Sequence, residues 1–537
     1  MANFNLFNTQ SKSLPACDTL NASGAAAYVY TPKHQLAQLA VTGCLNSTFY
    51  ATAQSQLDQV LKLVAELDSR FVANAALYAR QKGHMKDMPA LLLAALTAQR
   101  SALVPEVFGQ VVDSGKMLRN FVQILRSGAT GRRSLGSQPK RLVQNWLNSA
   151  TERQLLQASI GNQPSLADVV RMVHPKPSEA WREAFFAWVI GKPVDAQALP
   201  ALTRDLLAFR SGASAQVPEV PFQLLGNETL SKEQWAAQAR NMGWQGLRIN
   251  LNTLARHGAF EVPGCTEYVA ARLADPEAVA KARVYPYQLL AAYRMVGDDV
   301  PAPIREALQD ALELSLTNVP KLQGAVVVCP DVSGSMGSPL TGYRQGAVVV
   351  CPDVSGSMGS PLTGYRQGAT TAVRCIDVAA LITAAVLRKQ PTARVMPFEW
   401  KVVDITLNPR DSVISNAEKL AGIFGGGTCC SAPLKKLADS KARVDTLIMV
   451  SDNESWIDAR RQGASETMLQ WERIKRINPQ ARLICIDLQP GWATPAADRE
   501  DILNVGGFSD AVFDVIEQFT AGRYGPQHWV EAIESMG

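Results

Sequence analysis

A chain of 537 residues is too long for one hydrophobic core and predicts several domains. With 47% apolar and 19% charged residues it is globular, which excludes a disordered chain, and a formal charge of +5 is too mild to identify a partner. The charge is unevenly placed: residues 1–324 hold 32 of the 53 basic and 25 of the 48 acidic side chains, so a polyanion would be drawn to that part.

The opening MANFNLFNTQSKS has neither a basic start nor an apolar block, so no signal peptide is expected and the predicted location is the cytoplasm. The longest apolar runs, LLLAALTA from 91 and VAALITAAVL from 378, are about half of what a bilayer span needs and read as core helices. Nine cysteines at no zinc-finger spacing read as reduced and mostly buried, the adjacent Cys429 and Cys430 being the one pair of note.

Residues 1–40 lack periodicity and are expected to be an extended arm. Short helices then follow in series. In LDQVLKLVAELDS the apolar positions 57, 60, 61, 64 and 67 mark one helical face. FVANAALYARQKG closes on Gly83, DMPALLLAALTAQR opens at Asp87 with Pro89 in its first turn, and MLRNFVQILRSG ends on glycine. Helical patterns continue to IREALQDALELSL, and strand-like runs are almost absent before Gly324. Many short helices without a strict repeat predict stacked helix pairs, an all-α solenoid; a compact irregular bundle is the alternative.

Within this part, residues 114–151 carry Lys116, Arg119, Arg126, Arg132, Arg133, Lys140 and Arg141 with no acidic residue. Solvated helix faces usually carry both signs, so a one-sign stripe is a footprint for phosphates. Arg171, His174 and Lys176 follow in RMVHPKPSE, where Pro175 and Pro177 stop a helix. That loop could face a nucleic acid backbone, although a histidine before proline more often caps its helix.

After 324 apolar strands alternate with amphipathic helices, the pattern of a doubly wound α/β domain with a parallel sheet. Its first strand exists twice: residues 324–345 (GAVVVCPDVSGSMGSPLTGYRQ) recur letter for letter at 346–367. In each copy the apolar run leads into Asp-x-Ser-x-Ser, which offers hard oxygen ligands to Mg²⁺ or a similar cation. Thr428 in a Gly-rich turn and Asp452 after another strand complete the candidate set, with Glu454 beside it. Contiguity of strand, loop and helix favours the second copy, Asp353, Ser355 and Ser357, over Asp331, Ser333 and Ser335. The expected division is therefore 1–323 helical, 324–345 a spare segment or linker, and 346–537 the α/β domain. Two carboxylates are too few for a two-metal nuclease, and no Ser/His or Cys/His pair or phosphate-binding Gly-rich motif is present, so no catalysis is expected.

The second half resembles a von Willebrand factor A module, whose metal-ion-dependent adhesion site uses Asp-x-Ser-x-Ser, a Thr and an Asp. With FVQILRSG, RMVHPKPSE, KARVYPYQLLAAYR, AGIFGGGTCCSAP, MVSDNES and DREDILNVGGFSDAVFDVIEQFT, nearly the whole chain resembles the Ro autoantigen family, bacterial members included. The resemblance implies a ring of HEAT-like repeats, the TROVE module, closed by the A module. It further implies single-stranded 3′ ends of aberrant RNAs in the central hole and small noncoding Y RNAs on an outer basic surface. A role beside the exoribonuclease polynucleotide phosphorylase, in RNA decay and stress survival, and a monomer in the cytoplasm are also implied. His174 matches a Y RNA contact of that family, but its usual basic companions appear here as the uncharged Ser159-Ile160-Gly161-Asn162-Gln163. Cys429 stands where relatives often have Asp.

Overall fold

The computed structural model describes residues 14–536 apart from 22–23, 43–44, 46–51, 226–229, 283, 285, 320, 334–335, 337–373, 424, 453–463, 489–491, 508–510 and 523–526. The chain forms two compact units, each discontinuous in sequence. The helical unit comprises Leu39–Leu45, Gln54–Asn318 and Glu531–Gly537; the α/β unit comprises Met1–Gln38, Asn46–Ala53 and Val319–Val530.

In the helical unit each helix packs on near neighbours in sequence: Ser69–Gln81 on Asp87–Ala98, that helix on Gly115–Ser127, and Cys265–Leu273 on Ala302–Ser315. The expected helices are present, and their ends carry the signals that sequence supplies. Asp68 accepts from the Phe71 amide at 2.8 Å, Ser114 caps the Gly115–Ser127 helix, and Gly128 closes it at φ 92°. Asp87–Ala98 is apolar on every side and buried throughout its length from Met88 to Thr97. Neighbour-on-neighbour packing of this kind is the repeat-like arrangement expected from the short helices.

The α/β unit is built on a parallel sheet. Its strands are β3 (Val326–Pro330), β4 (Arg394–Val395), β5 (Thr446–Ser451), β6 (Arg482–Asp487) and β8 (Ile502–Gly506), in the order β4-β3-β5-β6-β8. Every pairing is parallel, as near-continuous apolar strands predict. Successive residues of β3 face opposite layers. Val327 and Cys329 enter a core with Leu434, Leu437, Met468 and Trp471, whereas the helix Cys375–Lys389 packs on β3 independently. The described cysteines are free thiols, all buried except the half-buried Cys17. Burial pushes the Cys485 thiol up to about 12.

Two features differ from the sequence expectation. β8 was unforeseen because Asn504 interrupts its apolar run; in the fold Asn504 is fully buried and donates to the Ala496 carbonyl and Asp498 at 3.0 Å each. The arm expected to be extended over 1–40 is free of helix only at 14–21 and 24–31, since Pro32–Thr42 is a helix, and up to Gln38 it belongs to the α/β unit and not to the helical one. Its strands β1 (Thr19–Leu20) and β2 (Ala26–Val29) form an antiparallel sheet with β7 (Ala493–Thr494), in the order β1-β2-β7. Tyr28 reaches the main core of that unit, where its hydroxyl donates to the Pro15 carbonyl at 2.9 Å. The helical-to-α/β boundary expected at 323/324 falls between Asn318 and Val319. No described helix is long and apolar enough to cross a membrane.

Candidate functional site

β3 lies between β4 and β5, so the chain leaves β3 to one side and later returns on the other. Such a switch point opens a crevice at the carboxyl ends of the strands. Both central strands end there in acid: Asp331 follows β3 and Asp452 follows β5. The Ser333 amide donates to Asp331 Oδ1 at 2.8 Å, and the Thr428 hydroxyl donates to Ser333 Oγ at 2.9 Å. Asp331, Ser333, Thr428 and Asp452 are all buried.

Burial, and secondarily the charge of Asp452, hold the Asp331 carboxyl well above the usual carboxylate range. Its Oδ2 is buried with no hydrogen-bond partner among the described residues. A buried acid in this state requires a proton or a cation. The donors are hard oxygens, carboxylates and hydroxyls, so the residues fit Mg²⁺ or a similar divalent ion. No described group of three or more His, Cys, Asp or Glu gathers anywhere, so any such ion would depend on the hydroxyls.

Three loops converge on this site. The Val332 amide donates to the Phe398 carbonyl at 2.8 Å, tying the metal loop to the segment after β4. The Cys429 amide donates to the Glu399 carbonyl at 3.0 Å, tying the Gly-rich turn to the same segment. Gly426 has φ 77°, and a Cβ there would meet the Glu399 carboxylate and lie 2.9 Å from Trp400 Cδ1. The turn therefore needs glycine at 426 both for its backbone and for the space.

The structure differs from the expected choice of copy. The first copy supplies β3, Asp331 and Ser333, whereas Asp353, Ser355 and Ser357, together with Ser335 and Glu454, lie outside the described residues. The residues before each copy supply the reason. Val319 and Leu322, five and two positions before Gly324, are buried. The corresponding positions before Gly346 are Thr341 and Arg344, and a guanidinium in place of Leu322 would have to be desolvated. Loop closure weighs little against this, because its cost grows only with the logarithm of length.

The predicted basic residues separate into two groups. Arg126, Arg133, Arg141, Arg171, His174, Lys176 and Lys116 are exposed. Arg126 and Arg171 both act on Asp168, after its bonds to Ser165, to hold its carboxyl below the usual range, so the helices Gly115–Ser127 and Leu166–Val173 present these charges close together. Gln144 and Asn148 on the helix Ser137–Ser149 donate to the His174 carbonyl at 3.2 Å and the Lys176 carbonyl at 3.4 Å, joining the Pro-rich loop to the same region. His174 also caps its helix in the left-handed region at φ 51°.

The second group points inward. Arg132 donates to the Thr97 carbonyl at 3.0 Å and the Leu135 carbonyl at 3.1 Å. Arg119 donates to Pro164 at 3.3 Å beneath the uncharged 159–163 turn, its guanidinium carbon 3.1 Å from where a Gly161 Cβ would stand, and burial lowers its pKa. Half-buried Lys140 lies between these groups. Sequence spacing does not distinguish an arginine that faces water from one that bonds carbonyls.

Residues 347–520 match the family model described as the Ro60 vWA domain. That match begins in the second copy of the repeat, whose letters equal those of the first. The chain is 26% identical to the curated protein "RNA-binding protein RO60" of Deinococcus radiodurans, over 96% of this chain and 97% of that one. The crystal structure of the Deinococcus radiodurans RO (RSR) protein has the same fold, with a TM-score of 0.63 and 23% identity over 92% of this chain and all of that one. Helical unit, A-type sheet and full-length similarity agree: the chain is similar to a bacterial Ro protein over nearly its whole length and shares its fold, and its residues 347–520 match the Ro60 vWA domain.

Proposed function

We propose that this protein binds RNA through its helical unit and performs no chemistry on it. The observation that carries the reading is the group of exposed basic side chains on the helices Gly115–Ser127, Ser137–Ser149 and Leu166–Val173 and on the loop at 174–176. Full-length similarity to a relative named as an RNA-binding protein supports it. Phosphate contacts of this kind bind with weak sequence preference and strong salt dependence. Within this reading the RNAs are small noncoding Y RNAs and single-stranded 3′ ends of aberrant transcripts, bound in the cytoplasm by a monomer acting beside polynucleotide phosphorylase. The test is affinity of the full chain for a hairpin with and without a single-stranded 3′ tail, measured across salt. Equal binding of blunt and tailed RNA would remove the 3′-end part, and RNA cleaved in Mg²⁺ would remove the absence of chemistry.

The A-type unit supports a second activity, for which the unpartnered Asp331 Oδ2 speaks. Asp331, Ser333, Thr428 and Asp452 would hold a divalent ion, Mg²⁺ by its donor set, and that ion would supply a coordination position for an acidic group from outside. The first copy of the repeat holds it. Calorimetric titration with Mg²⁺, in the wild type and in Asp331→Ala, tests this; unchanged binding in the variant would refute the assignment.

A further inference from the structure

The segment after β4 carries a large aromatic side chain at the edge of the candidate metal centre. Trp400 is 56% exposed, unusual for a tryptophan, although its neighbours are fixed. The Phe398 carbonyl holds Val332, the Glu399 carbonyl holds Cys429, and the ring lies against Gly426, two residues before Thr428. The exposed indole thus stands beside both ligand-bearing loops. Lys401 Nζ lies 5.0 Å from the ring centroid, adding positive charge to that rim.

We propose that Trp400 is a specificity-determining contact for an acidic peptide segment of a protein partner, one in which an Asp or Glu adjoins an aromatic residue. The inference rests on the metal-centre reading above. The carboxylate would fill the cation's outer position, and the adjoining ring would pack on the indole within reach of Lys401. Charge favours a peptide over RNA here. Residues 325–537 carry 21 basic and 23 acidic side chains, and so lack the surplus that attracts phosphates. The occupant is therefore anionic at one point and apolar beside it.

The experiment uses the full chain with saturating Mg²⁺ and three blocked pentapeptides, Gly-Gly-Asp-Gly-Gly and its two versions with Phe on either side of Asp. One Phe peptide should bind about 3- to 10-fold tighter than the Gly peptide, the range of one aromatic contact. Trp400→Ala should abolish that preference, Trp400→Phe should keep most of it, and both should bind Mg²⁺ as the wild type does. A preference that survives Trp400→Ala, or no preference in the wild type, overturns the inference while Mg²⁺ binding leaves the metal centre standing. Trp400-dependent binding of oligouridylate with no peptide binding overturns the choice of partner. Failure of the wild type to bind Mg²⁺ refutes the metal centre, and this inference with it.

Discussion

Asp331 and Asp452 end adjacent parallel strands with their carboxyl groups in one buried site, and the charge of one raises the cost of ionising the other. The metal-free fold therefore carries an electrostatic penalty that a divalent ion would relieve. Asp331→Asn removes it: the metal-free protein should melt higher, by ~2–4 °C for each kcal/mol recovered, and lose its stabilisation by Mg²⁺. Asp353→Asn should leave both melting temperatures at wild-type values. Thermal scans with EDTA and with Mg²⁺ decide between the copies, and loss of the Mg²⁺ shift in Asp353→Asn alone would transfer the site to the second copy.

The two groups of basic residues lead to opposite expectations. Arg126→Gln and Arg141→Gln should leave stability within about 0.5 kcal/mol, as exposed substitutions do. Each should lower the salt slope of RNA binding by about one. Arg132→Gln should instead destabilise by about 1–3 kcal/mol, because the Thr97 and Leu135 carbonyls lose a charged donor. Its salt slope should stay near that of the wild type. Salt titrations of RNA affinity, paired with urea melts, separate these effects.

Tyr28 fastens the described part of the arm, from residue 14 on, to the core of the α/β unit. Its hydroxyl accepts from the Ser465 amide at 3.4 Å as well as donating to Pro15, and burial pushes its phenol up to about 12. Tyr28→Ala should cost about 3–5 kcal/mol, the usual price of emptying an aromatic site. Tyr28→Phe, which keeps the packing, should cost about 1 kcal/mol. A fragment that starts at 319 should be less stable than one in which residues 1–38 are supplied. Equal urea midpoints for the two fragments would show that the strap contributes nothing.

His528 is buried, and that burial pulls its imidazole down to about 4. Between pH 6.5 and about 4 the unfolded chain takes up a proton that the folded one does not, so stability should fall as pH drops through that window. Above pH 6.5 this contribution is fully present. His528→Gln should flatten the dependence, as read from urea midpoints at pH 7, 6, 5 and 4.5. A slope identical to the wild type would show that other groups govern the acid limb.

Much of the α/β unit is legible in the residues. VVVCPDVS and TLIMVSD are apolar strands that run into acid, and parallel pairing follows from burial on both faces. Thr428 was identifiable from its place in a Gly-rich turn. β8 and the arm were not, since Asn504 and the short AAYV stretch acquire their roles from partners distant in the chain. Trp400 escaped notice for a similar reason: its meaning is its position beside Gly426, and no local pattern encodes that.

By itself the sequence determined the two architectures, the oxygen ligands and the basic stripe, because periodicity and residue chemistry are local properties. Only the tertiary structure decided which of two identical segments supplies β3, which arginines face solvent and where the arm from residue 14 packs. Identical letters have identical propensities, so the choice of copy depends on what surrounds them. Leu322 and Val319 can be buried at the entrance to the strand, whereas Arg344 and Thr341 would carry polar groups into the same place.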